Sequence, residues 1–534
     1  MMVAVERQPP TKRNDRRSVW RRALIGALLA LVLALLVARV PVLPANPDLY
    51  LHLVWSYQVM RCLAQGAAPV WLPDLNAGFG SPGVRLHNPL APVVDGSLGL
   101  ALGDAGSGLR AAAVLAAALL LALLWRRRGR SGIGEWLILM LSPVVAFSLL
   151  GRSAWSEFLA LPLVWWLLEA ALERTLVPRR EGPILALLWL LHGPSTVMVA
   201  LIIAVLVAVA ADAKLAGRAA GVAGVAAGLT AWHWLPLAGE MAMMDTAALT
   251  GGIFRADRNI LGSPQAHSLD ATIFLAWCAV ALLAAAVLGR WWRSGAPRTL
   301  AIVACVCLAS PLAVWVWRAG SPLVFLQFPW RWLLPAAVLA AAPMRAALRG
   351  WGGRVGLAAV LAPFLIFPWP TWARDPHLTA SMGWPDAGSA VNRAISGSPL
   401  LVDAPQHRPT SWDLLGVNLL RFEGNPVLLV PAGGRWGVER WAPLDRLVEV
   451  DLPAAANVEL RLLEYPTWRV SVDGAPAPPL TGVGVVGAAV PAGRHTVRAS
   501  WAGNPLARSG QAAAAFTALL LLWARFGHRA RGAP

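Results

Sequence analysis

Twelve apolar stretches separated by short arginine clusters limit what this chain can become. The stretches lie near 23–42, 109–125, 135–150, 157–173, 183–192, 194–211, 219–239, 271–289, 299–316, 333–348, 355–370 and 511–524. A bilayer core needs about 20 apolar residues per helix, so most are the length of a membrane span. The fifth is short and must be tilted, broken or extended by its neighbours. Of the 534 residues, 57% are apolar and 14% charged, where a soluble chain carries about 25% charged residues. A single soluble core, a disordered chain, a collagen-like repeat and a disulfide-stapled secreted module are all excluded.

The charges also orient the spans. Lysine plus arginine (46) exceed aspartate plus glutamate (28) by 18, and Lys12 and Lys214 are the two lysines. In a soluble chain this excess would point to nucleic acid. Here the arginines fall between spans, so the bilayer is the expected partner and nucleic acid is not. With residues 1–22 as a cytoplasmic basic N-terminus and 23–42 as an uncleaved first helix, the inner loops are Arg126–Arg130, Arg174–Arg180, Asp212–Arg218, Arg290–Arg298, Arg345–Arg354 and the tail from Arg525. Each is basic, as the positive-inside rule requires. The expected architecture is a polytopic α-helical membrane protein of about 12 helices. It would sit in a membrane with both termini in the cytoplasm. Residues 23–370 form the transmembrane domain with eleven helices and an outer loop at 44–108. A second outer segment covers 240–270. An extracytoplasmic domain covers 371–510, and 511–534 hold the last helix and a basic tail.

The second half of the 371–510 segment alternates like strands over 457–464, 468–472, 483–490 and 496–501, with hairpin-type turns at Asp473-Gly474 and Ala492-Gly493. A small β-rich module is therefore expected before the last helix. Gly217, Gly221, Gly224 and Gly228 share one side of the seventh span, a spacing that suits helix packing. The cysteines, Cys62, Cys278, Cys305 and Cys307, form no CxxC pair and are read as small core residues. No HExxH, Walker A, dinucleotide fingerprint or GxSxG elbow is present.

Chemistry is then left to polar residues at the outer helix ends, where a charge is paired or functional. Asp48 and His52 share a helix face at i,i+4. A carboxylate beside an imidazole can take a proton from a hydroxyl or bind a divalent metal; an interfacial aspartate capping the next helix is the plainer reading. The loop 69–92 is too apolar for a free loop, and Asp74, Asn76, Arg85, His87 and Asn88 are its polar candidates; a structural Ω-loop is the alternative. Arg152 can hold a phosphate and Glu157, at a helix start, can serve as a second acid or base, unless the two merely pair. His192 and His233 fall at outer helix ends. Arg331, set among aromatics, can meet a lipid-linked phosphate or anchor the interface.

These stretches resemble the bacterial membrane proteins labelled 6-pyruvoyl-tetrahydropterin synthase-related. The matching segments are DLYLHLVW (48–55), PVWLPDLNAGFGSPGVRLHNPLAP (69–92), GRSAWSEFLALPL (151–163), LLHGPS (190–195), WHWLPL (232–237) and LQFPWRWLL (326–334). YPTWRVSVDGAPAPPL (465–480) and VPAGRHTVRASW (490–501) are similar to the outer module of this group and of YfhO-type proteins. Two positions depart from the group's pattern: its aromatic-Pro-Pro stretch is LHNPL here, and its His-Asn pair is His192-Gly193. The group is similar in architecture to GT-C glycosyltransferases, which take sugar from a polyprenyl-phosphate carrier outside the membrane. That resemblance implies a GT-C-like helical domain and puts Asp48 where an acidic residue activates or orients the acceptor.

The expected function is transfer of a sugar from a polyprenyl-phosphate carrier to an extracytoplasmic glycan, lipid or protein acceptor. Asp48, Glu157 and His52 would act in catalysis, with Arg152, Arg331, Asp74, His87, Asn88 and His192 around the substrate. A divalent metal on Asp48 and His52 stays open, and no other cofactor is implied. The alternatives are a transporter or flippase for a lipid-linked glycan and a non-catalytic scaffold in envelope-polysaccharide assembly. The chain shows no internal repeat of the kind many transporters carry.

Overall fold

The computed structural model describes residues 47–76, 78–151, 154–241, 250–251, 255–261, 278–280, 296–318, 321–347, 426–429, 431–481 and 483–530. The expected spans 23–42 and 355–370, nearly all of 271–289, Arg152 and most of the first half of 371–510 lie outside the described residues.

Local signals explain where the helices start and stop. Helix α1 (Pro47–Ala64) opens on a proline, whose fixed φ suits the first helical turn. It ends at Gly66, which takes φ +68, and Ala67 N–H returns to the Cys62 carbonyl at 2.9 Å. Helix α2 (Leu90–Leu102) stops at left-handed Gly103. Asp104 then caps α3 (Ala105–Arg128) by accepting the Ser107 N–H. Helix α4 (Arg130–Met140) follows, then a single turn (Pro143–Ala146) that widens into a π-helical turn at Phe147–Gly151. Helices α5 (Trp155–Leu172), α6 (Pro178–Leu191), α7 (Gly193–Ala210), α8 (Ala213–Leu229) and α9 (Ala231–Glu240) come next. Helix α10 (Ala296–Ala309), a 3₁₀ turn (Pro329–Trp332), α11 (Leu333–Ala347) and α12 (Pro505–Ala530) complete the helices used below.

Helices α3, α5, α7 and α12 are long and apolar enough to cross a membrane. Two bent pairs also qualify if each is one span: α4 with Pro143–Leu149, bent by 53°, and α10 with Pro311–Trp317, bent by 73°. The expected spans 183–192 and 333–348 are helical as α6 and α11, of 14 and 15 residues. The expected span 219–239 is two helices rather than one. Thr230 separates α8 from α9; its hydroxyl donates to the Ala226 carbonyl (2.8 Å), and Trp234 Nε1 donates to Ala227 (2.8 Å). The Ala226 carbonyl accepts the Thr230 N–H as well (3.1 Å), so α8 keeps its last i,i+4 bond and the interruption is confined to Thr230, at φ −100 and ψ 6. The described residues thus hold four to six spans by length and composition, and the count of twelve stays an expectation.

Apolar burial between helices gains little inside lipid, so close backbone approach must hold the bundle. Glycine supplies it. A Cβ on Gly108 would lie 2.2 Å from the Asp95 carbonyl oxygen, and one on Gly182 would lie 2.4 Å from Val225 Cγ1. Of the four glycines on one side of the seventh span, Gly221 lies against Pro178 and Gly228 against Thr517, while Gly217 and Gly224 meet open space.

The helices share a polarity. At one end, Glu169 takes Arg298 through both nitrogens (2.7 and 3.0 Å) and also pairs with Arg128. Glu135 takes Arg345 at 3.2 Å, and Glu173 pairs with Arg127. These bonds tie α3, α4, α5, α10 and α11 together at the arginine-rich end. The opposite end carries the starts of α3, α5 and α11 and the end of α6.

The β module has two antiparallel sheets. One is ordered β1 (Val427–Leu429), β4 (Ala456–Leu463), β7 (Val485–Val490). The other runs β2 (Arg435–Ala442), β3 (Asp445–Leu452), β8 (Gly493–Trp501), β5 (Trp468–Val472), β6 (Ala475–Ala477). Val448, Val450, Val458, Leu460 and Val497 fill the space between them. Asp473 and Gly474 both take positive φ and close the β5–β6 hairpin, as the sequence suggested. Ala492-Gly493 is not a hairpin turn; it carries the chain from β7 in one sheet to β8 in the other.

Loop 69–92 completes this module. Trp71 and Phe79 are buried in its core, and Leu463 N–H donates to the Phe79 carbonyl at 2.9 Å. Trp71 packs on Trp468 and Trp501 at 5.5 and 5.6 Å between ring centroids. Gly80, at φ +83, admits no side chain, because a Cβ would fall 2.0 Å from Trp71 Nε1.

Candidate functional site

The start of α1 lies at the end of the bundle away from the arginines. Asp48 occupies the first turn of this helix, and its side chain lies outside the described residues. His52 follows one turn later and is buried. Its ring meets Trp55 edge-on at 6.5 Å, and Trp55, fully buried, stacks obliquely on His87 at 5.3 Å.

From His87 the contacts continue into the helical body. The His87 carbonyl accepts from His233 Nε2 at 3.0 Å. His233 Nδ1 accepts from Trp189 Nε1 at 3.1 Å, which fixes this imidazole as the neutral Nε2–H tautomer. Asn88, also buried, accepts the Gly193 N–H at 2.8 Å through Oδ1. Gly193 leaves room for that amide, since a Cβ there would sit 3.2 Å from Asn88 Oδ1. Next to it, His192 caps α7: its Nδ1 lies 2.7 Å from Ser195 Oγ and accepts the Ser195 N–H at 3.3 Å. His52, His87, Asn88 and His192 therefore fall on one continuous rim, with His233 as a fifth member.

A second group lies on adjoining segments of the same end. Glu157 sits in the first turn of α5 and is 1% exposed. Arg331, in the 3₁₀ turn before α11, is buried with its guanidinium 4.7 Å over the Phe328 ring, and Nη1 donates to the Leu326 carbonyl at 2.9 Å. Trp330 beside it meets Phe147 edge-on at 5.4 Å, which joins the turn carrying Arg331 to the π-helical turn preceding α5. The sequence placed Glu157 and Arg331 at one rim; in the structure the Trp330–Phe147 contact brings the turn carrying Arg331 to the π-helical turn ahead of α5.

Asp74 stands apart from this rim. It accepts from Arg61 and from Gln58 Nε2 (3.0 Å), and its own N–H donates to Gln58 Oε1 (3.2 Å). These bonds tie the loop to α1. Asn76 Nδ2 closes the loop on Gly80 at 3.0 Å.

Glu240, which the sequence reading did not single out, joins the helical body to the module. Its carboxylate, 3% exposed, pairs with Arg85, accepts the Tyr465 hydroxyl at 2.6 Å and accepts Asn504 Nδ2 at 2.6 Å. Burial and the neighbouring Glu240 charge both push the Tyr465 hydroxyl well above its ordinary pKa, so it stays a donor. Arg85 also covers the Trp501 ring at 5.7 Å. Asp95 was overlooked too. It is fully buried on the packed face of α2, and burial holds its carboxyl well above the usual range. A lone acid within LAPVVDGSLGLAL was the available signal.

Among the described residues no three His, Cys, Asp or Glu side chains come together as a metal site. Asp48 and His52 would supply two ligands at most.

No family model matches the chain, and no curated protein does. Among solved structures, the chain is similar to the arabinofuranosyltransferase AftD from mycobacteria, determined by single-particle cryo-electron microscopy. The match has 17% sequence identity and a TM-score of 0.39, and covers 71% of this chain and 27% of that one.

Proposed function

We propose that this membrane protein is a glycosyltransferase that moves a sugar from a polyprenyl-phosphate carrier to an extracytoplasmic acceptor. The arginine-rich end faces the cytoplasm, as the positive-inside rule requires, which puts the polar rim and the β module outside. One observation carries the reading: the buried rim from His52 through Trp55, His87 and Asn88 to Gly193 and His192. Buried polar groups gathered at one helix end, under a soluble module, suit a carrier arriving from the lipid and an acceptor arriving from water.

In the proposed step the acceptor hydroxyl oxygen attacks the anomeric carbon from the face opposite the phosphate. The bond from that carbon to the phosphate oxygen breaks, and polyprenyl phosphate leaves with the electron pair. The hydroxyl proton passes to Asp48, oriented by His52 one turn away. Glu157 is the second acid or base. Arg331 and Arg152 hold the phosphate, since a guanidinium fork matches its oxygens. Most of the acceleration would come from positioning and from stabilising the leaving phosphate. No step runs through a metal.

Purified protein in liposomes, given radiolabelled polyprenyl-phosphate sugar and a mixed glycan acceptor, should release carrier phosphate and label the acceptor. Labelled lipid crossing the bilayer without phosphate release would establish the flippase alternative, to which the 73° break after α10 lends support. Neither event would leave the scaffold reading.

A further inference from the structure

A cavity at the arginine-rich end lies far from the rim. It measures about 860 Å³ and opens between α6, α8 and α12, within the ~300–1,000 Å³ typical of small-molecule sites. Helix α8 forms its back: Gly182 of α6 and Thr517 of α12 both press on α8, at Val225 and Gly228.

The lining is ordered along the helices. On α12 the residues facing the cavity are Ala518, Leu521, Leu522 and Arg525, one helical face with its charge at the last position. On α6 the order is the same from the other chain direction, with Arg179 and Arg180 one turn before Pro183. Both walls therefore carry cations at the membrane boundary and hydrocarbon deeper in.

The three arginines differ in what they already bind. Arg180 pairs with Glu181, donates to the Thr175 carbonyl at 2.9 Å and covers Trp166. Arg179 and Arg525 have no ion-pair partner among the described residues, and both are exposed. At the helix terminus Glu181 accepts the Val177 N–H at 2.8 Å. Around the cavity α12 presents Leu519, Leu520 and Trp523 outward, and Trp523 is 71% exposed. A face of that kind belongs against lipid tails.

We infer that this cavity binds an anionic glycerophospholipid of the cytoplasmic leaflet, its headgroup phosphate between Arg179 and Arg525 and an acyl chain along Leu521, Leu522 and Leu229. The charges match the phosphate, and the apolar wall matches the chain. A zwitterionic lipid offers the same chain without net charge, and free phosphate offers the charge without the chain.

Native mass spectrometry of the full chain in detergent tests this, with phosphatidylglycerol, phosphatidylcholine or inorganic phosphate added. Each basic residue near a membrane surface contributes about 1 kcal/mol toward anionic lipid, so two predict roughly 30-fold preference for phosphatidylglycerol. Arg179→Gln with Arg525→Gln should remove that preference, and Arg179→Lys with Arg525→Lys should keep most of it. Ala518→Trp, which fills the cavity from its apolar wall, should lower phosphatidylglycerol retention while the arginines remain. Equal retention of both lipids, a preference that survives the glutamine pair, or displacement of phosphatidylglycerol by millimolar phosphate would each overturn the assignment. A melting curve for each variant keeps a folding failure from passing as lost binding.

Discussion

The two ends of the helical bundle satisfy their polar groups in opposite ways. At the arginine-rich end each buried carboxylate has a cationic partner, and Glu169 has two, Arg298 and Arg128. Much of the rim end works with neutral groups, beside the buried Arg331: the amide of Asn88 on the Gly193 N–H, the imidazole of His233 on the His87 carbonyl, the imidazole of His192 on Ser195. Trp155 Nε1 and Trp332 Nε1, both buried there, lack hydrogen-bond partners among the described residues. Redundant ion pairs fix helices against one another. A rim of neutral and incompletely used polar groups holds its shape less firmly and keeps capacity for a ligand.

The largest expected effect belongs to the rim. Asp48→Asn should lower sugar transfer by roughly 10²–10⁴-fold, the usual contribution of a general base, while membrane insertion and melting stay as in the wild type. Full activity in that variant would remove Asp48 from catalysis and leave the rim without its base.

The next effect sits at the opposite end. Arg298→Ala strips two hydrogen bonds from a carboxylate that is 2% exposed, and removing one partner of a buried pair costs about 3 kcal/mol. Replacing the pair together, Arg298→Met with Glu169→Met, should recover much of that loss. Thermal unfolding in detergent reads both, and transfer activity per folded molecule should not change. If Arg298→Ala instead altered activity at constant stability, the two ends would not be separable as brace and site.

Glu240 lies where the contrast breaks down, since it is an ion-paired brace at the rim end. Glu240→Gln keeps a partial acceptor for Tyr465 but leaves Arg85, with 14% of its side chain exposed, without a counter-charge. A loss of about 2 kcal/mol is expected, in the range for a hydrogen bond to a charged group. Protease should then reach the β5–β6 hairpin sooner while the bundle melts unchanged. Tyr465→Phe should give a smaller change of the same sign, about 1 kcal/mol.

How much of this was legible follows from how local each signal is. The helical stretches could be read because apolar runs and arginine punctuation are local, and the described helices α3, α5, α6, α7, α11 and α12 fall on expected spans. The break at Thr230 was hidden, because Ala, Trp, Leu and Pro on either side keep the run apolar. Strands β4, β5, β7 and β8 alternate visibly. Strand β2 does not, since six of its eight residues are exposed on both faces, and buried Arg446 blurs the start of β3. At the site, His52 stood out by its spacing from Asp48, and His192 by its place at an outer helix end. The roles of Trp71, Phe79 and Glu240 depend on contacts with residues hundreds of positions away, such as Tyr465, and no local pattern encodes those.

Asp95 gives the smallest effect and the sharpest test of the contrast. It is a fully buried acid on α2, where that helix meets the start of α3 at Gly108, and neither oxygen has a hydrogen-bond partner among the described residues. Burial raises its folded pKa, whereas an unfolded aspartate titrates near 3.9. Folding therefore favours the protonated, neutral form of this group. Stability from that proton is fully present below the unfolded value and is lost as pH rises toward and through the folded one. Asp95→Asn carries no such proton. Its melting temperature should stay flat from pH 5 to pH 8 while that of the wild type falls, opening a gap that widens with pH. A gap that closes or reverses as pH rises would mean that Asp95 is ionised and paired in the folded protein. The rim end would then be braced by charge like the other end, and its neutral polar groups would no longer set it apart.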